Sequence, residues 1–376
     1  MPRNSLWILP SVFLFLAPYL LWSQATIDSN TQTVIQILEA AQQEARAHGA
    51  HYAPVLSPLE RLVAGPNPAL DSRAVQKAGF PVVVWTVNDP AVMAELLAKR
   101  VDGIISDRPD LLHQAFSKAR GLPENRNDEA YFARFDAQGH RGGRDLRPEN
   151  TLPAFESGLD QLVNTLETDT GVTADRVSLI SHEPFINAQT CRSADGKEYT
   201  AANQILIKDV RMAEAQSRFI CDKVFRGQQQ RNNLALSPVA VAFAKHTGLP
   251  SPYAPTHASQ LFDFVQFYVS YYKSGPGKNH PNAVERWRNA EKVRFNLETK
   301  IDPRPEYAAR TFGPEVFTET LARTIEAKGM EARSDIQSFD FRTLLLAAKT
   351  HPKIRTVFLI ESIPSVPAGS AAGGRK

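Results

Sequence analysis

The sequence predicts a TIM-type (β/α)8 barrel with an inserted segment of about 100 residues. Short runs rich in Val and Ile alternate with helical stretches, an order that builds a parallel sheet. Once an N-terminal leader and the inserted segment are set aside, about 250 of the 376 residues remain, the usual size of such a barrel. Polar side chains follow several predicted strands, at the edge where barrel enzymes carry their active sites.

The strand candidates are short apolar runs bounded by Pro, Gly or Asp. They are 53–56, 80–87, 101–105, 135–139, 165–170, 177–181, 293–300, 335–339 and 356–360. Helices are expected at 33–48, 90–100, 152–162, 259–272, 315–327 and 341–349. Residues 185–288 fit this alternation poorly, and we interpret them as an insertion. The aromatic residues at 262–272 are expected to pack a helix of that insertion, with a lipid-facing role as the alternative.

The composition excludes several classes of protein. Apolar residues make up 43% and charged residues 22% of the chain, close to the averages for soluble globular proteins. This excludes a disordered, collagen-like, coiled-coil or multi-span membrane protein. The net charge of +3 is too small for a nucleic-acid-binding face, so no nucleic-acid partner is expected. Two cysteines are too few for a disulfide scaffold or a Cys-rich zinc site.

Residues 1–25 have the form of a secretory signal peptide. Arg3 precedes an almost wholly apolar run, and small residues stand before a cleavage site after Ala25. We expect export to the periplasm or the extracellular space, with no stable membrane insertion after cleavage. An uncleaved membrane anchor is the alternative, but this run is short for a span. Outside the cytoplasm Cys191 and Cys221 can form a disulfide, or they remain two buried thiols.

Three acidic residues on two predicted strands are candidate metal ligands. Glu167 and Asp169 lie two apart, so their side chains leave the strand on the same side. Two adjacent carboxylates repel each other unless a cation lies between them, and their oxygens suit Ca²⁺ or Mg²⁺. Glu298 on a later strand can supply a third oxygen, and Lys300 adds a positive charge on the same side.

Two histidines follow other strands at the same edge of the sheet. His140 and Arg141 come after one predicted strand and His182 after another. Taken singly, such residues are more often surface, core or ion-paired groups. Together with the three acids and Lys300 they indicate phosphate-ester chemistry, in which a metal and cations hold the anion while imidazoles transfer protons.

Four motifs resemble those of the glycerophosphodiester phosphodiesterase family. They are HRGGRDLRPENTLPAF at 140–155, TLETDTGVTADRVSLISHE at 165–183, NLETK at 296–300 and QSFD at 337–340. Glu183 departs from the family pattern, which has Asp after the histidine. The resemblance implies hydrolysis of small-molecule glycerophosphodiesters to sn-glycerol 3-phosphate and an alcohol.

The resemblance also implies a role for each candidate residue. The ligands of one divalent cation, Ca²⁺ or Mg²⁺, match Glu167, Asp169 and Glu298. The catalytic acid and base match His140 and His182, and the phosphate-binding cations match Arg141 and Lys300. Two other functions stay open: a sphingomyelinase D-like phospholipase that acts on lysolipids and gives cyclic phosphates, and an inactive barrel that serves as a binding protein.

The order of the segments predicts a circular permutation. Residues 82–112 resemble the C-terminal end of the family, yet they come first here. The predicted parts are 26–120 (last part of the barrel), 121–132 (linker), 133–184 (first strands), 185–290 (insertion), 291–362 (middle strands) and 363–376 (disordered tail). The resemblance places Trp85 at the mouth against the glycerol carbons, although a core position is the alternative. Rival accounts are a tandem remnant beside an open barrel and an exchange of segments between two chains.

Overall fold

The computed structural model describes residues 13–364, and the side chains of residues 26–364. Residues 1–12 of the expected signal peptide and 365–376 of the expected tail therefore lie outside the described residues. Within the described part, no helix is both long and apolar enough to cross a membrane.

Eight parallel strands form the barrel in the described part of the chain. They are β1 (Val55–Pro58), β2 (Val83–Val84), β3 (Gly103–Ser106), β4 (Asp136–Gly139), β5 (Thr165–Val172), β9 (Arg294–Thr299), β10 (Ser334–Ser338) and β11 (Arg355–Ile360). Their order around the ring is β1, β11, β10, β9, β5, β4, β3 and β2. Parallel bridges from Leu56 to Val82 and from Leu59 to Trp85 close the ring. The (β/α)8 fold is confirmed.

The N-terminal segment completes this ring within the same chain. Strand β1 pairs with β11, with Val55 opposite Val357, and β3 pairs with β4. The open barrel of the tandem-remnant account is therefore wrong. The circular permutation itself stays a prediction. It is a statement about the order of these segments in relatives, which the structure of one chain does not test.

Three short strands of the described chain lie outside the ring. They are β6 (Ser178–Ile180), β7 (Arg192–Ser193) and β8 (Phe219–Ile220). The run 177–181, expected among the barrel strands, instead turns back and pairs antiparallel with the end of β5. The backbone N–H of Thr173 donates to the carbonyl of Val177, which closes the tight turn between them.

Twelve α-helices lie in the described part of the chain. They are α1 (Phe13–Ala47), α2 (Ser72–Lys77), α3 (Pro90–Ala98), α4 (Pro109–Arg120), α5 (Glu129–Arg134), α6 (Leu152–Asp160), α7 (Met212–Arg218), α8 (Pro238–Thr247), α9 (Ala258–Lys273), α10 (Ala283–Ala290), α11 (Pro314–Ala327) and α12 (Phe341–Thr350). Helix α1 begins well before the predicted start at residue 33, because no Pro or Gly interrupts residues 19–48. Side-chain caps start others as expected: Asp89 accepts the backbone N–H of Ala91 at 2.7 Å.

The segment predicted as an insertion consists of two parts. Up to about residue 237 it folds around a small apolar cluster that it shares with β6 and that includes Ile186, Ile207 and Phe219. Cys191 and Cys221 are paired there as a disulfide. Helices α8, α9 and α10 instead contribute buried residues to the main core. The sequence predicts that the insertion ends at residue 290, whereas in the structure its separately packed part ends near residue 237.

Helix α9 shows why these helices belong to the barrel. Phe262, Phe264 and Tyr268 are almost fully buried, and the ring of Phe262 packs edge-on against Phe295 of β9 at 4.7 Å between centroids. The aromatic residues at 262–272 therefore serve helix packing, as expected, but against the barrel rather than within a separate insertion.

The polar segment 121–132, predicted as a linker, is folded onto the barrel. It contains a 3-10 turn at Pro123–Asn125 and the start of α5. Tyr131 and Phe132 are buried in the main core, and the Tyr131 hydroxyl donates to the carbonyl of Val101 at 3.0 Å. The segment thus packs against the amino end of β3.

A buried carboxyl joins two of the outer helices. Glu156 of α6 is fully buried and accepts the backbone N–H groups of Val239 at 3.1 Å and Ala240 at 2.7 Å, at the start of α8. Burial, followed by the nearby charge of Asp160, raises the pKa of Glu156 to about 8.

This pKa predicts how stability depends on pH. The folded protein binds the Glu156 proton more tightly than the unfolded chain, whose carboxyl titrates near 4.5. The stabilising contribution is present below about pH 4.5 and is lost as the pH rises through about 8. We expect the free energy of unfolding in urea to fall by a few kcal/mol between about pH 5 and about pH 9. Glu156→Gln should remove that part of the decline; parallel pH profiles for the two proteins would contradict the assignment.

Candidate active site

The structure places the predicted site residues around one mouth of the barrel. Glu167 and Asp169 lie on β5, Glu298 lies on β9, and Lys300 follows β9 directly. His140 and Arg141 follow β4, Trp85 follows β2, and His182 follows β6. The backbone N–H of Ser181 donates to the carbonyl of Asp169 at 3.0 Å, which ties the His182 segment to β5.

The three acidic side chains form a compact buried triad. One carboxylate oxygen from each of Glu167, Asp169 and Glu298 lies within 4.8 Å of the other two, and the strand register sets Asp169 opposite Glu298. Burial and then the charge of Asp169 raise the pKa of Glu167; burial also raises the pKa of Glu298, against the opposing effect of Lys300. Three hard oxygen donors that repel one another fit a divalent cation, which relieves the repulsion when it binds.

Glu167 is oriented by donors on both of its oxygens. The backbone N–H of Arg141 donates to Oε2 at 2.9 Å, and the side-chain amide of Gln337 donates to Oε1. Gln337 is held in turn by Asn296, whose Nδ2 donates to it at 2.8 Å and to Gln138 at 3.0 Å. This chain of amides inside the barrel limits the rotation of the carboxylate.

Asp169 is paired with the guanidinium of Arg141. Arg141 Nε lies 3.2 Å from Asp169 Oδ2, and Nη1 donates to Glu149 at 2.8 Å. Asn150 Nδ2 also donates to Asp169, at 3.0 Å. Burial raises the pKa of Asp169, but Arg141, His182 and Lys300 outweigh it and hold that pKa well below its usual range.

The glycine after Arg141 is required by close packing. Arg141 has a φ of 49° and Gly142 a φ of 86°, both in the left-handed region. A Cβ at Gly142 would lie 2.6 Å from the backbone of Ala154 and Phe155 at the start of α6. Only glycine fits there, so the turn presents Arg141 and His140 at the mouth.

His140 is held by a carboxylate that the sequence analysis did not single out. Its Nδ1 bonds to Oδ1 of Asp107, which directly follows β3, and its Nε2 lies 3.9 Å from Glu167 Oε2. Burial lowers the pKa of His140, and Asp107 opposes that effect. Burial would raise the pKa of Asp107, but His140 and then Arg144 hold it well below its usual range. The position of Asp107 at a strand end is the signal that could have identified it.

His182 is more accessible than His140. Its side chain is 31% exposed, and its Nδ1 lies 2.7 Å from Glu183 Oε1. The hydrogen bond to His182 lowers the pKa of Glu183. Glu183, the departure from the family pattern, therefore still reaches its neighbouring imidazole.

Aromatic rings form one side of the mouth beside Lys300. The rings of Trp85 and Phe339 meet edge-on at 5.3 Å between centroids, and Lys300 Nζ lies 5.6 Å from the Phe339 ring and 3.0 Å from Glu298. Trp85 also packs against the inner cluster that includes Val83, and its Nε1 donates to the carbonyl of Ser57 at 2.8 Å. Trp85 thus combines a position at the mouth with a packing role. Its neighbour Phe339 lies in the QSFD motif, but the motif alone gives this ring no role.

The fold and the grouping of these side chains define an α/β barrel of the class that carries a buried acidic triad and two histidines at one mouth. Within that class, the chain belongs to the glycerophosphoryl diester phosphodiesterase family, whose model matches residues 19–111 and 140–372. No curated protein sequence matches the chain.

Solved structures with related descriptions show low similarity. A Silicibacter pomeroyi protein described as a glycerophosphoryl diester phosphodiesterase is 19% identical, with a TM-score of 0.42, over 60% of this chain and 64% of its own. An Oleispira antarctica phosphodiesterase, solved with the product sn-glycerol-3-phosphate, is 15% identical, with a TM-score of 0.36, over 61% and 68%. A domain of a Mycobacterium tuberculosis protein is 11% identical, with a TM-score of 0.35, over 58% and 57%. The match thus spans less than two thirds of the first of these proteins, and family membership rests on the family model.

The triad predicts stabilisation by divalent cations. We expect Ca²⁺ or Mg²⁺ to raise the melting temperature and a chelator to reverse the rise, since a ligand at 100 times its Kd stabilises the folded state by about 2.7 kcal/mol. Glu298→Gln should lose most of this effect, because one charged ligand is gone. Glu183→Gln, which removes a carboxylate outside the triad, is the control and should keep it. Equal stabilisation of the wild type and Glu298→Gln would show that the cation binds elsewhere.

Proposed function

We propose that the protein hydrolyses glycerophosphodiesters to sn-glycerol 3-phosphate and an alcohol. The observation that carries this proposal is the meeting of a buried acidic triad with two imidazoles at one barrel mouth, in a chain that belongs to this family. The substrate is a small molecule whose phosphodiester carries glycerol on one side.

The triad and its neighbouring cations account for phosphate binding. Glu167, Asp169 and Glu298 would hold a divalent cation, Ca²⁺ or Mg²⁺, which when bound polarises the phosphoryl oxygen and offsets its charge. Lys300, mostly buried and paired with Glu298 at 3.0 Å, sets a second positive charge beside the same position. Arg141 supplies a third, balanced by Asp169 and Glu149 until the phosphate enters.

The two imidazoles account for proton transfer. His140 uses Nδ1 for Asp107 and His182 uses Nδ1 for Glu183, so both present Nε2 for chemistry. One imidazole takes the proton from the attacking hydroxyl, and the other gives a proton to the departing alkoxide. The glycerol 2-hydroxyl can attack first to give a cyclic phosphate, which water then opens.

Trp85 and Phe339 account for the position of the glycerol. Their edge-on rings form an apolar surface next to Lys300. The glycerol carbons would lie against this surface while the phosphate contacts the cations. This arrangement would bind the glycerol part of the diester, rather than the alcohol part, at the aromatic surface.

An assay of glycerol 3-phosphate release tests the proposal. The wild type should release it from glycerophosphocholine and lose activity with a chelator. His140→Ala and His182→Ala should each lower kcat by about 10²–10⁴-fold, because each removes one proton-transfer group. His51→Ala, an exposed histidine before β1, is the matched control and should retain full activity.

The same assay distinguishes the other two functions. Cyclic phosphate from lysolipids, without glycerol 3-phosphate, would identify a sphingomyelinase D-like phospholipase instead. If the protein binds glycerophosphodiesters but hydrolyses none of them, whichever divalent cation is added, it is a binding protein. Full activity in either histidine variant would refute the roles assigned to these residues.

We also propose that the protein is exported. The support is the signal-peptide form of residues 1–25. Mass spectrometry of the protein recovered outside the cytoplasm should give Thr26 as its first residue. Recovery of the uncut chain with the membrane fraction would favour the anchor alternative.

A further inference from the structure

Arg226 connects the insertion to the His140 side of the active site. It lies after β8, and its Nη2 donates to Asp107 Oδ2 at 2.9 Å while its Nε donates to Asp145 Oδ1 at 3.1 Å. The other oxygen of Asp107 bonds to His140 Nδ1. Three separate segments of the chain therefore meet at one buried carboxylate.

The segment that carries Arg226 is clamped onto the loop after His140. Gln230, 1% exposed, accepts the backbone N–H groups of Phe225 at 2.8 Å and Arg226 at 3.1 Å. Its own amide donates to the carbonyls of Arg144 at 2.7 Å and Arg147 at 3.2 Å. Every polar atom of this buried side chain is thus used to hold the two loops together.

The two oxygens of Asp107 are divided between different partners. Oδ1 faces His140, whereas Oδ2 accepts from Arg226 and from Asn88, each at 2.9 Å. Asp107 is 2% exposed, so the charged hydrogen bond from Arg226 replaces part of the solvation that water would give to the carboxylate. By holding Oδ2, Arg226 limits rotation of the carboxylate and keeps Oδ1 directed at the imidazole.

A partner on Nδ1 decides which nitrogen of a histidine faces the substrate. At metal sites, groups that orient a ligating histidine through its second ring nitrogen typically contribute about 10–100-fold to affinity or activity, and we expect an effect of this order for the imidazole of His140. Arg226 does not contact the imidazole itself; it binds Asp107, the carboxylate that bonds to His140 Nδ1.

We propose that Arg226 is a positioning residue, which holds Asp107 so that His140 presents Nε2 to the substrate. The insertion then contributes to the active site, because without it Asp107 Oδ2 loses the guanidinium that it accepts from. This inference rests on the proposed function for the role of His140, but the contact itself can be measured without turnover.

Steady-state kinetics with three variants test the proposal. Arg226→Met keeps an unbranched apolar stem and should lower kcat about tenfold or more, with KM nearly unchanged. Arg226→Lys, which keeps the charge, should recover part of the loss. Arg231→Met is the matched control, because its guanidinium donates to the carbonyls of Gln228 and Gln230 in the same segment. It should keep the wild-type kcat.

Imidazole NMR on the full-length protein gives a readout that does not depend on turnover. In ¹⁵N-histidine-labelled protein, the Nδ1–H signal of His140, assigned by its loss in His140→Ala, should shift or broaden in Arg226→Met. The signal should be unchanged in Arg231→Met. If Arg226→Met does not fold, Asp145→Asn removes one partner of Arg226 and should cause a smaller change in the same direction.

An unchanged kcat and an unchanged His140 signal in Arg226→Met would overturn the proposal. A raised KM with a constant kcat would also overturn it, and would make Arg226 a substrate-binding residue. An inactive wild type would refute the proposed function instead, and the His140 signal would still decide the positioning role.

Discussion

Mutual repulsion among three buried carboxylates is the constraint on which the rest of the site depends. Glu167, Asp169 and Glu298 come within 4.8 Å of one another where water is largely excluded. Such a group is unfavourable unless positive charge enters it. Arg141 and Lys300 supply part of that charge from the protein, and a divalent cation can supply the rest. The amides and turns around the triad hold it in this unfavourable arrangement.

Closure of the ring by the N-terminal segment brings Asp107 and Trp85 to the mouth that carries the triad. Strands β1, β2 and β3 fill the gap between β11 and β4, and the residues after them reach the same mouth. This is how Asp107 meets His140 and how Trp85 meets Phe339, although each pair is far apart in sequence. The site is therefore assembled only when the whole barrel is closed.

The sequence predicts those features that follow from strand periodicity. The spacing of Glu167 and Asp169 alone places both side chains on one face, and the strand ends place His140 beside them. The sequence places Asp107 after a predicted strand and Gln337 in the QSFD motif, but it does not show what they bind. Arg226 stands in no motif, and the partner of each of these residues lies on another segment. It also misplaces the end of the insertion, since the aromatic face of α9 does not show which surface it packs against. Sequence periodicity identifies a buried face but not its partner.

The central claim is that one divalent cation binds between the three acids at the mouth. Crystals grown with Mn²⁺ as a substitute for the native ion, measured near the manganese absorption edge, test it most directly. A cation bound by the triad should give a strong anomalous peak within bonding distance of oxygens from Glu167, Asp169 and Glu298. The absence of a peak between the three carboxylates, or a peak only at another position, would contradict the binding of a cation by the triad.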